Sequence, residues 1–169
     1  MAIAEKMYKA GGLAGITAGQ SAICTVGLVG QGLNYRGFGI EDLAANCVFE
    51  EVAHLLIYGH LPTSDELSAY QQRLIQLRHL PSALKQGLQL IPADAHPMDV
   101  LRTGCSLLGT LEQESTDNDQ YHIADRLLAL FPAMLTYWQH FHQTGQSLDT
   151  LVNDPSVGGM FIHCLQGRT

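Results

Sequence analysis

Residues 96–112 carry the feature that most restricts the fold, an amphipathic helical pattern with two internal glycines. Pro97 suits the first position of a helix, because its missing N–H would have no partner there. The apolar positions recur at three- and four-residue steps and share one face: Leu101, Gly104, Leu108 and Leu111. Because Gly104 and Gly109 destabilise a helix relative to alanine, a closely packed neighbour is the expected compensation. We predict a central helix over 97–112, packed tightly between others.

A longer helix is predicted over residues 121–143. Its apolar residues cover much of the circumference and include Ile123, Leu127, Leu130, Met134, Leu135, Trp138 and Phe141. So broad an apolar surface indicates burial on more than one side, inside a domain or across a subunit interface. Pro132 lies within this helix and is expected to kink it.

Shorter helices account for most of the remaining chain. Apolar periodicity and end signals predict them over 40–47, 49–58, 63–77, 81–91 and 157–165. Thr63 and Glu66 fit a capping box, and Gly59 fits a helix stop. Near the start, residues 22–26 and 33–36 fit the strands of a β-hairpin turning at 27–32. The predicted fold class is mainly α, with a small N-terminal β-hairpin.

Composition excludes several classes of function. A chain of 169 residues with 46% apolar content can bury one sizeable core. A formal charge of −7, with nine scattered basic residues, argues against binding to nucleic acid or an anionic membrane surface. No apolar run is long enough to span a bilayer, and residues 1–10 do not resemble a signal peptide. The four cysteines form no Cys-x-x-Cys pair, so we predict buried free thiols in the cytoplasm.

No residue stands out as catalytic or as a metal ligand. The eight histidines form no His-Glu-x-x-His motif, and no Gly-x-Ser-x-Gly sequence is present. His54 and His163 lie among apolar residues, where a hydrogen-bonded core histidine is expected. His96 precedes Pro97 and is expected to help start the helix. We therefore predict no metal site and no catalytic residue in this chain.

The arginines are the more informative charges. A buried arginine must be paired, so structural ion pairs are predicted for Arg36 and Arg102. The candidate partners are the acidic residues Asp42, Glu50 and Asp99. Arg73 flanks the apolar stripe of its helix, and its residue pattern alone favours a solvated side chain.

Several segments, in order along the chain, resemble the citrate synthase family and most of all its 2-methylcitrate synthase branch. They include His-Pro-Met-Asp-Val-Leu-Arg-Thr-Gly (96–104), Gly-Gln-Ser-Ala-Ile-Cys-Thr-Val-Gly (19–27) and Gly-Leu-Asn-Tyr-Arg-Gly-Phe (32–38). Phe-Glu-Glu-Val-Ala-His-Leu-Leu (49–56) and Val-Gly-Gly-Met-Phe-Ile-His (157–163) continue the likeness. The resemblance thus covers nearly the whole chain.

The resemblance implies a helical, homodimeric acyltransferase that condenses propionyl-CoA with oxaloacetate and hydrolyses the thioester. It implies a coenzyme A thioester as substrate, no bound cofactor, and a dimer formed through long helices including 97–112 and 121–143. Relatives have a basic residue assigned to substrate contact at the position of Arg73, so Arg73 is the one site residue that the resemblance supplies.

Family members continue beyond the point that matches Thr169, and their catalytic histidines and aspartate lie in that continuation. The resemblance therefore implies that residues 1–169 are the N-terminal part of the large domain, without the catalytic portion and inactive alone. Two alternatives stay open. The chain could belong to a citrate synthase that uses acetyl-CoA, or it could be a non-enzymatic helical oligomerisation module.

Overall fold

A computed structural model describes residues 19, 21–25 and 32–166 of the chain. Over these residues the helices are α1 (Ile40–Asn46), α2 (Phe49–Tyr58), α3 (Ser64–Gln76), α4 (Ser82–Leu90), α5 (Pro97–Leu111), α6 (Gln120–Thr144) and α7 (Val157–Leu165). Three short strands precede them, β1 (Cys24–Thr25), β2 (Asn34–Tyr35) and β3 (Phe38–Gly39). The predicted mainly α fold with a small N-terminal hairpin is confirmed.

The strands form an antiparallel sheet in the order β1-β2-β3. Cys24 pairs with Tyr35, as the predicted hairpin requires, while residues 27–31 of the turn predicted at 27–32 lie outside the described residues. The strand β3 was not predicted. It pairs with β2 through a two-residue turn in which Arg36 and Gly37 have φ values of +50° and +93°, the left-handed geometry that suits a tight hairpin.

The centre of the fold is α6 rather than α5. α6 contacts α2, α3, α4, α5 and α7, which confirms that the apolar helix is buried on more than one side. The prediction that α5 packs between other helices is confirmed in part, because α5 contacts α4 and α6 but buries only the face with Val100, Gly104 and Leu108. Leu111, predicted on that face, is 43% exposed at the helix end. Arg102, Thr103 and Ser106 occupy the outer face, so α5 presents polar groups to solvent.

The two glycines of α5 differ in their surroundings. A Cβ at Gly104 would lie 2.9 Å from Met134 Sδ on α6 and 3.5 Å from Leu88 Cδ2 on α4. The predicted close approach is therefore confirmed for Gly104. At Gly109 a Cβ would meet no atom of the described residues within 4 Å, so the close approach predicted there is not found among them.

Local signals set the helix ends. Thr63 Oγ1 accepts from Glu66 N, while Glu66 Oε2 accepts from Thr63 N, which confirms the capping box. Gly59 ends α2 with φ +93°, and His96 Nδ1 accepts from Met98 N at 3.1 Å, starting α5. These contacts span few residues, and so a sequence pattern can identify them.

A buried arginine that was not predicted fixes the segment before α7. Arg78 is fully buried, and its guanidinium donates to the carbonyls of Val152, Asp154 and Ser156 at 2.8, 2.7 and 3.2 Å. Burial lowers the pKa of Arg78, and the charges of Asp154 and Glu50 partly oppose that shift. The side chain therefore joins the end of α3 to the start of α7.

The other predicted charges and core residues have mixed outcomes. Arg102 pairs with Asp99 at 3.0 Å, as predicted. Arg36 instead donates to the Leu56 carbonyl at 2.9 Å, and no ion pair of Arg36 is found within the described ranges. His163 is exposed on α7, so its assignment to the core is wrong, because it points away from the face that packs on α6. All four cysteines are free, but only Cys164 is buried.

No helix in the described part of the chain combines the length and apolarity needed to cross a membrane.

Candidate functional site

A buried carboxylate on α6 brings three helices together. Asp125 is fully buried. Its Oδ2 accepts a hydrogen bond from the Tyr58 hydroxyl at 2.5 Å, and its Oδ1 accepts one from the Tyr70 hydroxyl at 2.9 Å. Arg73 Nη2 lies 3.2 Å from Oδ2. A buried charge is tolerated only when it is paired and hydrogen-bonded, and α2 and α3 supply these donors.

The two tyrosines remain protonated over the physiological pH range. Burial, together with the hydrogen bond to Asp125, raises the pKa of Tyr58 to about 12. Burial and the charge of Asp125 raise the pKa of Tyr70 as well. Both phenols are therefore permanent hydrogen-bond donors to the carboxylate.

Arg73 connects this buried cluster to solvent. The residue pattern predicted a solvated Arg73 side chain. In the structure the side chain is 42% exposed and also paired with the buried Asp125. Nη2 contacts Asp125 and lies 3.4 Å from His122 Nδ1. The other N–H groups have no protein partner among the described residues. They remain available to a ligand.

An open cleft of about 240 Å³ lies beside the cluster, lined by His54, Tyr58, Glu66, Ala69, Tyr70 and Arg73. The His54 ring packs on Tyr58 and Tyr70, and its Nδ1 is 3.1 Å from the His60 carbonyl. The predicted core role of His54 is thereby confirmed. A half-exposed guanidinium beside a small cleft can bind an anionic oxygen, since arginine presents N–H groups in a planar fork.

A second ion pair supports the same end of α6. Arg126 donates to both carboxylate oxygens of Glu112, at 2.9 and 2.7 Å, and to the Leu77 carbonyl. The hydrogen bonds from Arg126 hold the pKa of Glu112 below its ordinary value. These contacts join the ends of α3 and α5 to α6, one residue after Asp125.

Comparison with known proteins decides the family. Residues 12–169 match the profile described as "Citrate synthase, C-terminal domain".

The chain belongs to the citrate synthase family.

Curated relatives agree with this assignment. A 2-methylcitrate synthase from Shewanella oneidensis is 52% identical over 99% of the chain and 44% of its own length. The 2-methylcitrate synthase 2 of Corynebacterium glutamicum is 40% identical over 73% of the chain and 33% of its own length. The crystal structure of citrate synthase from Thermotoga maritima superposes with a TM-score of 0.75 at 29% identity, covering 92% of this chain and 41% of that one. The chain spans less than half the length of these relatives.

For this citrate synthase family chain, the structure places the predicted site residue Arg73 beside groups that the sequence did not indicate. Asp125 lies 52 positions further along the chain than Arg73, so no local pattern joins them. The available signal was the adjacent pair Asp125 and Arg126, the only Asp, Glu, Lys or Arg residues within α6. Both prove to be buried and paired.

Over the described residues, no three side chains of His, Cys, Asp or Glu are grouped as they would be to hold a metal ion.

Proposed function

We propose that the chain is the N-terminal part of a 2-methylcitrate synthase, an acyltransferase that condenses propionyl-CoA with oxaloacetate to give 2-methylcitrate and CoA. The observation that supports this most strongly is the 52% identity to the 2-methylcitrate synthase of Shewanella oneidensis, which extends over 99% of the chain. The citrate synthase of Mycolicibacterium smegmatis is 39% identical, close to the 37% of the 2-methylcitrate synthase 1 of Corynebacterium glutamicum, so the choice of substrate rests on the Shewanella relative. The reaction belongs to propionate metabolism and the 2-methylcitrate cycle. Four free cysteines support a reducing, cytoplasmic location.

In this proposal the chain supplies scaffold and substrate contact, while the residues that move protons lie in sequence beyond Thr169. Both substrates carry anionic oxygens, on the carboxylates of oxaloacetate and the phosphates of CoA. Arg73 is the half-exposed cation beside the cleft, and it binds one of these groups. No bound cofactor takes part.

We also propose a homodimer through α5 and α6, the helices within the predicted ranges 97–112 and 121–143. Exposed apolar side chains support this, namely Met98 and Leu111 on α5 and Tyr121 at the start of α6. The middle of α6 is enclosed by its own chain, so the contribution of α6 is limited to its ends.

The natural protein that contains this chain should release CoA thiol when given propionyl-CoA and oxaloacetate, and residues 1–169 alone should not. A colorimetric thiol assay with propionyl-CoA and acetyl-CoA in parallel tests the substrate, and light scattering of the same sample should give the mass of two chains. Faster release from acetyl-CoA would favour the citrate synthase alternative. Turnover by residues 1–169 alone, or a monomeric natural protein, would contradict the corresponding part of the proposal.

The Arg73→Ala variant of the natural protein should raise KM for the anionic substrate that Arg73 contacts by about tenfold, the equivalent of one charge-assisted hydrogen bond. The kcat value should change less, because the contact is made in the ground state and the transition state alike. Separate KM values for oxaloacetate and propionyl-CoA identify the anion. As a control, Arg102→Ala removes an exposed arginine whose ion pair among the described residues is with Asp99, and it should leave both KM values unchanged. Unchanged KM values in the Arg73→Ala variant would remove Arg73 from the site.

A further inference from the structure

The arrangement around Asp125 differs from that of an ordinary buried ion pair. Asp125 is fully buried, yet its only cationic partner among the described residues is Arg73, whose side chain is 42% exposed. Two tyrosine hydroxyls on other helices complete its hydrogen bonding. If the ion pair only stabilised the fold, a buried cation would attract Asp125 more strongly, because solvent screens the charge of an exposed cation.

The geometry fixes the carboxylate in one orientation. Tyr58 holds Oδ2 and Tyr70 holds Oδ1, so rotation about the Cβ–Cγ bond would break both hydrogen bonds. Oδ2 in turn faces Arg73 Nη2. A carboxylate held at both oxygens is a rigid support for a flexible arginine side chain.

The other charge that lines the cleft does not compete for Arg73. Glu66 Oε2 accepts from the backbone N–H and the hydroxyl of Thr63, at 2.8 and 2.9 Å. These bonds, which cap α3, lower the pKa of Glu66, and its remaining oxygen lies 3.7 Å from His60 Nε2. Arg73 Nη2 therefore contacts Asp125 Oδ2 and His122 Nδ1. Its Nε and Nη1 have no protein partner among the described residues, and the side chain lines the cleft.

We propose that Asp125, held by the hydroxyls of Tyr58 and Tyr70, is a positioning residue that sets the guanidinium of Arg73 for an anionic group of the substrate. This inference rests on the proposed substrate contact of Arg73. Asp125 itself does not reach the substrate, since it is fully buried. A guanidinium that is already oriented loses less conformational entropy when the substrate binds. Substitution of Asp125 should therefore change KM rather than kcat.

A double-mutant cycle in the natural protein tests this, with KM and kcat measured separately for oxaloacetate and propionyl-CoA. The Asp125→Asn variant keeps the size of the side chain but removes its charge. It should raise KM for the substrate bound by Arg73 about fivefold and change kcat less than about twofold. In an Arg73→Ala background the same substitution should change that KM by less than about twofold.

Tyrosine variants provide the matched control. Tyr58→Phe removes one hydrogen bond to Asp125 and should raise the same KM about two- to threefold. Tyr137 lies elsewhere on α6, where its hydroxyl accepts from Gln89 Nε2 at 2.7 Å and lies 3.1 Å from Ser147 Oγ. Tyr137→Phe therefore removes a phenol hydroxyl outside the Asp125 cluster and should leave this KM unchanged. Should Asp125→Asn fail to fold, the cycle is run with Tyr58→Phe and Arg73→Ala.

The outcomes separate this inference from the proposed function. No change of KM in Arg73→Ala would refute the substrate contact and the positioning role together. A raised KM in Arg73→Ala with none in Asp125→Asn or Tyr58→Phe would refute the positioning role alone. An equal effect of Asp125→Asn in both backgrounds would show that Asp125 acts on the fold and not through Arg73.

Discussion

Replacing Arg78 by methionine should lower the free energy of unfolding by about 4 kcal/mol. The guanidinium donates to three main-chain carbonyls in the segment 152–156. Methionine fills a similar volume and donates nothing, so these buried acceptors would lose their partners. With typical stabilities of about 5–15 kcal/mol, this is a large fraction of the total. Urea unfolding followed by far-UV circular dichroism measures it.

The matched control is Arg102→Met, the same substitution at an exposed site. Within the part of the chain that the structure describes, Arg102 pairs only with Asp99, three positions earlier on α5, so the expected loss of unfolding free energy is less than about 0.5 kcal/mol. The Arg78→Lys variant should lose an intermediate amount of unfolding free energy. Its ammonium keeps the charge but cannot contact all three carbonyls as a planar guanidinium does. A loss below about 1 kcal/mol for Arg78→Met would show that the segment before α7 finds other donors.

The Gly104→Val substitution should lower the free energy of unfolding by about 3 kcal/mol, through overpacking where α5 crosses α6 and α4. The first added carbon would lie 2.9 Å from Met134 Sδ and 3.5 Å from Leu88 Cδ2. Met134 and Leu88 are themselves buried in the same core, so neither moves without displacing others. Valine also adds two methyl groups that a rotation of Met134 cannot accommodate. The same urea titration measures the loss.

Gly109→Val on the same helix is the control. Over residues 19, 21–25 and 32–166, nothing lies within 4 Å of a Cβ at Gly109, and valine is a slightly better helix former than glycine. The free energy of unfolding should rise by about 0.4 kcal/mol. Equal effects at the two positions would contradict the view that close packing, rather than helix propensity, requires glycine at Gly104.

Interactions between residues within one or two helical turns of each other could be predicted from the sequence. The capping box at Thr63, the stop at Gly59 and the cap at His96 were all predicted and are all present. The bounds of α2 and α7 agree with those predicted, 49–58 and 157–165. Each depends on residues close together in the chain, whose spacing determines whether their side chains meet.

The predictions that failed required knowledge of what each surface faces. The sequence placed α5 at the centre because its apolar pattern is clear, yet α6 occupies that position. It assigned His163 to the core because its neighbours are apolar, yet the side chain is exposed on the outer face of α7. Periodicity shows which residues share a face, but not whether another helix covers that face.

By itself the sequence determined the family, the mainly helical class, the ends of most helices and Arg73 as the candidate substrate contact. Only the tertiary structure decided that Asp125 pairs with Arg73 and is held by Tyr58 and Tyr70, and that Arg78 holds the segment before α7. The reason is physical. A buried charge is stable only with partners that compensate for its lost hydration. Here those partners are 52 to 78 positions away, so only the packing of the helices brings them together.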